Sequence, residues 1–235
     1  MTEGLAPTRP QRFLTAPAPS IKSWPVSTPD MEQTARALNE LGAATLGESG
    51  GVPMAPRLGP AWPGSRLVAP AFTVSCARGD NLAVHVAVTR CPRGSALVVD
   101  VSGLEERGYW GEVLTTAAEA AGIAGLVIDG GVRDIAALQA HGFPVFSTII
   151  ALAGATKVGG GSIGRPVRVG DVEVRTGDWV VGDSDGVTIV AAERMEEVLA
   201  AGKARAVKEA GMFGELRAGR TTLELLGVDP SPITT

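Results

Sequence analysis

Apolar and polar positions along the chain fall into helical and strand rhythms that alternate from one end to the other. From Thr28 to Leu41 the apolar Met31, Ala35 and Leu38 recur at helical spacing. Thr28 is placed to cap that helix, Pro29 suits its first turn, Asp30 its positive dipole end, and Gly42 stops it. Residues 43–65 are rich in glycine and proline and read as a long loop. Arg66–Cys76, with Leu67, Val68, Ala71, Phe72 and Val74, predicts a strand; Gly79-Asp-Asn81 then turns the chain into a helix near Leu82–Arg90. The unbroken apolar run Ser95–Val101 is the pattern of a strand covered on both faces. A helix from Trp110-Gly-Glu112 to Ala121, closed by Gly122, and a strand Gly125–Asp129 complete a βαβ unit.

After Asp134 a short helix runs to His141 with Gly142 as its left-handed cap, and Pro144–Ser147 is the next strand. From Lys157 to Ala191 the rhythm changes to short β segments punctuated by Gly170-Asp171, Thr176-Gly-Asp178 and Asp183-Ser-Asp-Gly186, which predicts antiparallel hairpins. A final helix, about Glu193–Ala210, is expected to turn Met195, Val198, Leu199 and Val207 inward. Residues 1–27 carry Pro7, Pro10, Pro17, Pro19 and Pro25 with few core-forming side chains, so they read as an extended arm. Residues 28–235 then form one α/β domain of layered β/β/α character, not a doubly wound sheet.

Composition narrows the function. The 235 residues are 45% hydrophobic and 20% charged, with a net charge of −4, so a core is available and no basic surface calls for nucleic acid. Two cysteines, Cys76 and Cys91, are too few for a disulfide framework or zinc cluster and read as small core residues in a reduced, cytoplasmic setting. No apolar run nears the roughly 18 residues that span a bilayer. Gly159-Gly-Gly-Ser-Ile-Gly164 matches a dinucleotide-binding spacing, but Arg165-Pro166 and hairpins follow where the phosphate-binding helix should start. Asp183 and Asp185 precede Gly186 between two valine-rich segments, a turn in preference to a metal pair. The two histidines, His85 and His141, are not at ligand spacing and have no serine triad around them.

The chemistry concentrates at Arg133-Asp134, at the end of the Gly125–Asp129 strand. Their bland reading is a local ion pair or a helix cap by Asp134. Yet the guanidinium of Arg133 suits a carboxylate or enolate oxygen, and Asp134 is a hard oxygen ligand suited to Mg²⁺ or Mn²⁺. In a βαβ unit the helix start at Glu112 opens on the same sheet edge. Glu112 can therefore converge with Asp134 as a second acid, and the backbone amides of Gly111, Glu112, Val113 and Leu114 form a helix N-terminus ready to receive an anionic carboxylate.

Gly111-Glu112 with Leu114, Gly125-Leu-Val-Ile-Asp-Gly130, Val132-Arg-Asp134 and Gly142-Phe-Pro-Val-Phe146 resemble the class II 4-hydroxy-4-methyl-2-oxoglutarate/4-carboxy-4-hydroxy-2-oxoadipate aldolases. The fold family of those enzymes includes the regulator of ribonuclease activity A. The similarity runs from about Thr28 to Gly227 and takes in Trp62-Pro-Gly64, Gly79-Asp-Asn81, Lys157, Gly177-Asp178 and Asp185-Gly186. Its most specific feature is an acid followed, after twenty residues, by Arg133-Asp134.

The resemblance implies a swivelling β/β/α domain assembled into homotrimers or homohexamers, with sites at subunit interfaces. It implies that Asp134 ligates Mg²⁺ or Mn²⁺ directly, that Glu112 holds a metal-bound water, and that Arg133 binds the 2-oxo oxygen. The amides of Gly111 to Leu114 would bind the pyruvyl carboxylate, and Glu209 is the candidate acid from a neighbouring subunit's C-terminal helix. The implied activity is cleavage of 4-hydroxy-2-oxo acids to pyruvate, with oxaloacetate decarboxylation at the same site. No lysine stands where a Schiff base would need one, which is consistent with metal use. The family's serine-arginine-glycine loop is replaced by the apolar Ser147–Gly154, which puts the distal half of the substrate in question. The alternative is a non-catalytic, protein-binding regulator of ribonuclease activity. Glu112 speaks for the enzyme, because the resemblance implies that the regulator branch lacks this acid. A methyltransferase would need a nucleotide-binding turn and helix that the glycine-rich stretch does not offer.

Overall fold

The computed structural model describes residues 28–103 and 106–233, so the proline-rich arm expected over 1–27 lies outside the described residues. In chain order the elements are α1 (Thr28–Gly47), β1 (Val52–Pro53), β2 (Gly59–Pro60), β3 (Leu67–Cys76), α2 (Leu82–Val88), β4 (Ala96–Asp100) and β5 (Gly108–Trp110). They continue with α3 (Glu112–Ala121), β6 (Gly125–Val132), α4 (Ile135–His141), β7 (Val145–Ile150), β8 (Gly161–Ile163), β9 (Val167–Val169) and β10 (Val172–Val174). Last come β11 (Trp179–Asp183), β12 (Gly186–Val190), α5 (Met195–Arg217) and α6 (Thr222–Leu226).

A ten-stranded sheet in the order β1-β12-β11-β3-β4-β6-β7-β2 forms the middle layer, with β5 added beside β6 and β8 beside β3. Its centre, β3-β4-β6-β7, is parallel, and β11, β12 and β1 extend it antiparallel. Alternation along the strands assigns the two faces. Phe72 and Val74 of β3, Leu97 and Val99 of β4, and Leu126 and Ile128 of β6 pack with buried side chains of α2 and α3. On the same face, Trp179 and Val181 of β11 meet Leu38 and Leu46 of α1 and Val198 of α5. The opposite side chains, Ala69 and Ala71 of β3, Val98 of β4 and Val127 of β6, are covered by Val167, Val169, Val172 and Val174 of the β9–β10 hairpin. Helices on one face and a second β layer on the other make the β/β/α architecture that the pattern predicted. An ion-pair clasp joins the layers: Arg57 donates to Asp129 on β6 and to Asp171 in the β9–β10 turn, both at 2.8 Å.

Several expectations are corrected. Gly42 does break the first helix, with φ at 76°, but a second helical piece follows at once to Gly47, so the loop starts later than expected. The segment before Trp110 contains a strand, β5, and β6 runs on through Gly130 and Gly131 to Val132. Much of the Ser147–Gly154 stretch is strand as well, since β7 continues to Ile150 beside β6. The last helix extends to Arg217 and another follows it. Val207, expected inward, is 75% exposed: the sheet ends before α5 does, so only Val198 and Gly202 of this helix are fully buried. No described helix is long and apolar enough to cross a membrane. Cys76 and Cys91 are free thiols packed in or against the helix-side core, and burial pushes both up to about 12.

Candidate functional site

The site grows from the way β5 lies alongside the end of β6. Parallel pairing matches Trp110 with Val132, and the Arg133 amide donates to the Trp110 carbonyl at 3.0 Å. The chain leaves β5 into α3 and β6 into α4 at the same edge, so Gly111-Glu112 and Arg133-Asp134 become neighbours. The Glu112 amide donates to Asp134 Oδ2 at 3.1 Å. Gly111 has to be glycine, because a Cβ there would stand 2.4 Å from that same oxygen. Asp134 itself is left-handed (φ 61°, ψ 36°), a conformation that costs a non-glycine residue on the order of 1 kcal/mol, and its side chain does not cap α4. The strain turns the carboxylate away from its own helix and toward α3.

Arg133, Asp134, Gly111, Val113 and Leu114 line one cavity of about 200 Å³. That is small beside the roughly 300–1,000 Å³ of drug-sized pockets, and suits a small acid better than a nucleotide. Arg133 Nε lies 3.9 Å from Asp134 Oδ2, and its Nη1 donates to the Leu152 carbonyl at 3.4 Å. The side chains of Arg133 and Asp134 are 44% and 43% exposed, so both reach the opening.

The remaining wall was not anticipated. It comes from the start of α2, from β5 and from the chain after β7, and includes Asn81, His85, Tyr109 and Lys157. The presence of Lys157 overturns the expectation that no lysine is well placed, so the lack of one is no longer an argument for metal use. Buried Asp80 ties these segments together. Its Oδ1 accepts from the Leu82 amide at 2.8 Å, and its Oδ2 accepts from Thr156 Oγ1 and from the Val158 and Gly159 amides at 2.7–2.8 Å. Burial alone would raise its pKa, but these bonds outweigh it and hold the carboxyl far below the usual range. Asn81 Nδ2 donates to the Tyr109 carbonyl at 2.8 Å, while its Oδ1 is buried without a partner. A Gly-Asp-Asn turn before an apolar helix, with His85 four residues after Asn81, was the available signal for this wall.

Two expected participants stand apart within the single chain. The Glu112 carboxylate does not line the cavity; it sits 3.7 Å from His141 Nε2, whose Nδ1 is 2.8 Å from Glu119. Glu209 lies on α5, paired with Arg205 at 2.8 Å, beside a separate depression that includes Met212 and Phe213. Of the four amides expected to receive a carboxylate, that of Glu112 is already engaged by Asp134, leaving Gly111 at the N-cap and Val113 and Leu114 in the first turn. Asp183 and Asp185 form the β11–β12 turn, with Asp183 accepting the Asp185 amide at 3.0 Å, as the turn reading predicts.

Among the described residues no three His, Cys, Asp or Glu side chains gather as a metal cage. Asp134, the carboxylate on the cavity wall, is the kind of donor that would suit Mg²⁺ or Mn²⁺, which are held through one or two carboxylates and otherwise by water and substrate. Among the described residues, Asp134 Oδ2 takes the Glu112 amide and no hydrogen bond engages Oδ1.

Residues 37–189 match the RraA-like family model, described as Aldolase/RraA. A protein of Halalkalibacterium halodurans, provisionally named a 4-hydroxy-4-methyl-2-oxoglutarate aldolase, is 42% identical over 57% of this chain and 64% of its own length. Among solved structures, an uncharacterized protein from Pseudomonas syringae superposes with a TM-score of 0.73 at 26% identity, covering 84% of this chain and 98% of that one. Streptomyces coelicolor RraAS2, described as an unusual member of the RNase ES inhibitor RraA family, does so with a TM-score of 0.66 at 25% identity, covering 79% and 98%.

Proposed function

We propose, for a chain that belongs to the RraA-like (Aldolase/RraA) family, a divalent-metal-dependent class II aldolase that cleaves 4-hydroxy-2-oxo acids to pyruvate and also decarboxylates oxaloacetate. The observation that supports this most is the meeting of Arg133, Asp134 and the first turn of α3 on one small cavity. The Gly111, Val113 and Leu114 amides, at the positive end of a ten-residue helix, receive the pyruvyl carboxylate. Arg133 donates to the 2-oxo oxygen and is matched to the charge that collects there as the C3–C4 bond breaks. Retro-aldol cleavage and oxaloacetate decarboxylation both leave the enolate of pyruvate, so one electrophilic site serves both. Asp134 would hold the ion directly, with Glu112 acting through water; a bound divalent ion supplies further polarisation of the 2-oxo group. Trp110, 1% exposed and stacked on Phe143 with centroids 5.9 Å apart, keeps the floor dry and rigid beneath these groups.

The family's regulators share the fold, so the test has to be chemical. Arg133→Ala should abolish pyruvate release from both 4-hydroxy-4-methyl-2-oxoglutarate and oxaloacetate while circular dichroism and melting temperature stay close to those of the parent. Near-normal rates in that variant would contradict the assignment. Homotrimers or homohexamers with Glu209 entering a neighbour's site belong to the same proposal. Val113, on the cavity wall, is 80% exposed in the single chain, and Phe213 and Leu226 beside Glu209 are 50% and 57% exposed.

A further inference from the structure

Retro-aldol cleavage needs something that decarboxylation does not: a base for the proton of the 4-hydroxyl group. We propose that His85 is that base, so that the α2 wall of the cavity confers aldolase activity while Arg133 and Asp134 serve the enolate chemistry common to both reactions. This rests on the aldolase reading given above.

His85 lines the same cavity as Arg133 and Asp134 but comes from a different element, the middle of the seven-residue α2. It follows Asn81 by four residues, which puts both on one face of the helix. The other cavity-lining candidates have other parts to play. Asp134 accepts the Glu112 amide and faces Arg133. The Tyr109 hydroxyl accepts the Gly79 amide at 3.0 Å and belongs to the floor. The Glu112 carboxylate is at His141, outside the lining. Lys157 brings a positive charge to the same wall.

A base has to be unprotonated at rest. Burial first, and then the neighbouring Lys157, hold the imidazole below its usual pKa, with Asp80 pulling the other way. The partnerless Asn81 Oδ1, one turn earlier on the helix, is an acceptor suited to the imidazolium that forms.

The step balances without a further reactant. The 4-hydroxyl O–H bond breaks and its proton passes to the free imidazole nitrogen. The O–H electron pair becomes the new C4=O bond. The C3–C4 pair becomes C2=C3, and the pair of the C2=O double bond moves onto the oxygen facing Arg133. The enolate takes a proton at C3 to give pyruvate, and the imidazolium returns its own to solvent. In oxaloacetate the C4 carboxylate leaves as carbon dioxide with no hydroxyl proton to remove, so no base is called for.

The test is a ratio measured on the full-length protein with Mg²⁺. His85→Asn and His85→Ala should each lower the ratio of 4-hydroxy-4-methyl-2-oxoglutarate cleavage to oxaloacetate decarboxylation by about 100-fold or more, the usual worth of a positioned base. Added imidazole should restore cleavage in His85→Ala. A ratio left unchanged in both variants, whether both activities fall together or neither falls, overturns the role of His85 alone. Parent protein that releases pyruvate from neither compound overturns the aldolase reading together with it.

Discussion

At the scale of single residues, the site depends on two aspartates in unlike conditions. Asp80 is 2% exposed and saturated by donors, while Asp134 is strained, half-open and offered to the cavity. Asp80 has a folded pKa below its unfolded value of about 3.9. The stability it contributes is therefore complete above the unfolded value and drains away as pH falls through it toward the folded one. Asp80→Asn should cost on the order of 2 kcal/mol at neutral pH and flatten the acid side of the melting-temperature profile below about pH 4. A variant profile that keeps the parent's acid slope would contradict this. Asp134→Asn tests the other aspartate: asparagine tolerates the left-handed backbone, so the melting temperature should hold while Mg²⁺-supported turnover is lost. Arg133-Asp134 was legible in the sequence because a charged pair ended an apolar strand. Asn81 and His85 were not, since each alone is an ordinary helix-start residue and only the folded cavity sets them beside Arg133.

At the scale of elements, the meeting of β5, α3 and β6 decides the geometry. β6 and α3 were readable from apolar runs and from the glycines that end them. β5 was not, because three residues carry no periodicity, and what makes them a strand is pairing with Gly131 and Val132. The full length of β6 was hidden for a related reason: the apolar run ends before Gly130 and Gly131, yet these two stay in the strand and let Val101 and the Arg107 carbonyl approach closely where a Cβ would be. Gly111→Ala probes this junction directly. Its added methyl would push Asp134 from the start of α3, so turnover should fall about 100-fold, with a stability loss of about 1–3 kcal/mol. Equal losses of activity and folded protein would show that the junction is only structural.

At the scale of the molecule, the layered β/β/α fold followed from the change of rhythm after Lys157, where short hairpins replace strand-helix alternation and supply the second β layer. The extent of α5 did not follow. Among the described residues its outer half buries no side chain and meets mainly Leu226 of α6, so no apolar stripe marks it, and Val207 misled for that reason. An assembly that covers this half should sediment at three or six times the mass of the chain, and a monomer at working concentration would count against an interfacial site. The central claim, pyruvate-forming chemistry that depends on a divalent ion, is tested most directly by measuring pyruvate release from 4-hydroxy-4-methyl-2-oxoglutarate with Mg²⁺, after thorough chelation, and after Mg²⁺ is restored. Release that disappears on chelation and returns with the metal is the predicted result; release unchanged by chelation, as a Schiff base on Lys157 would give, would contradict it.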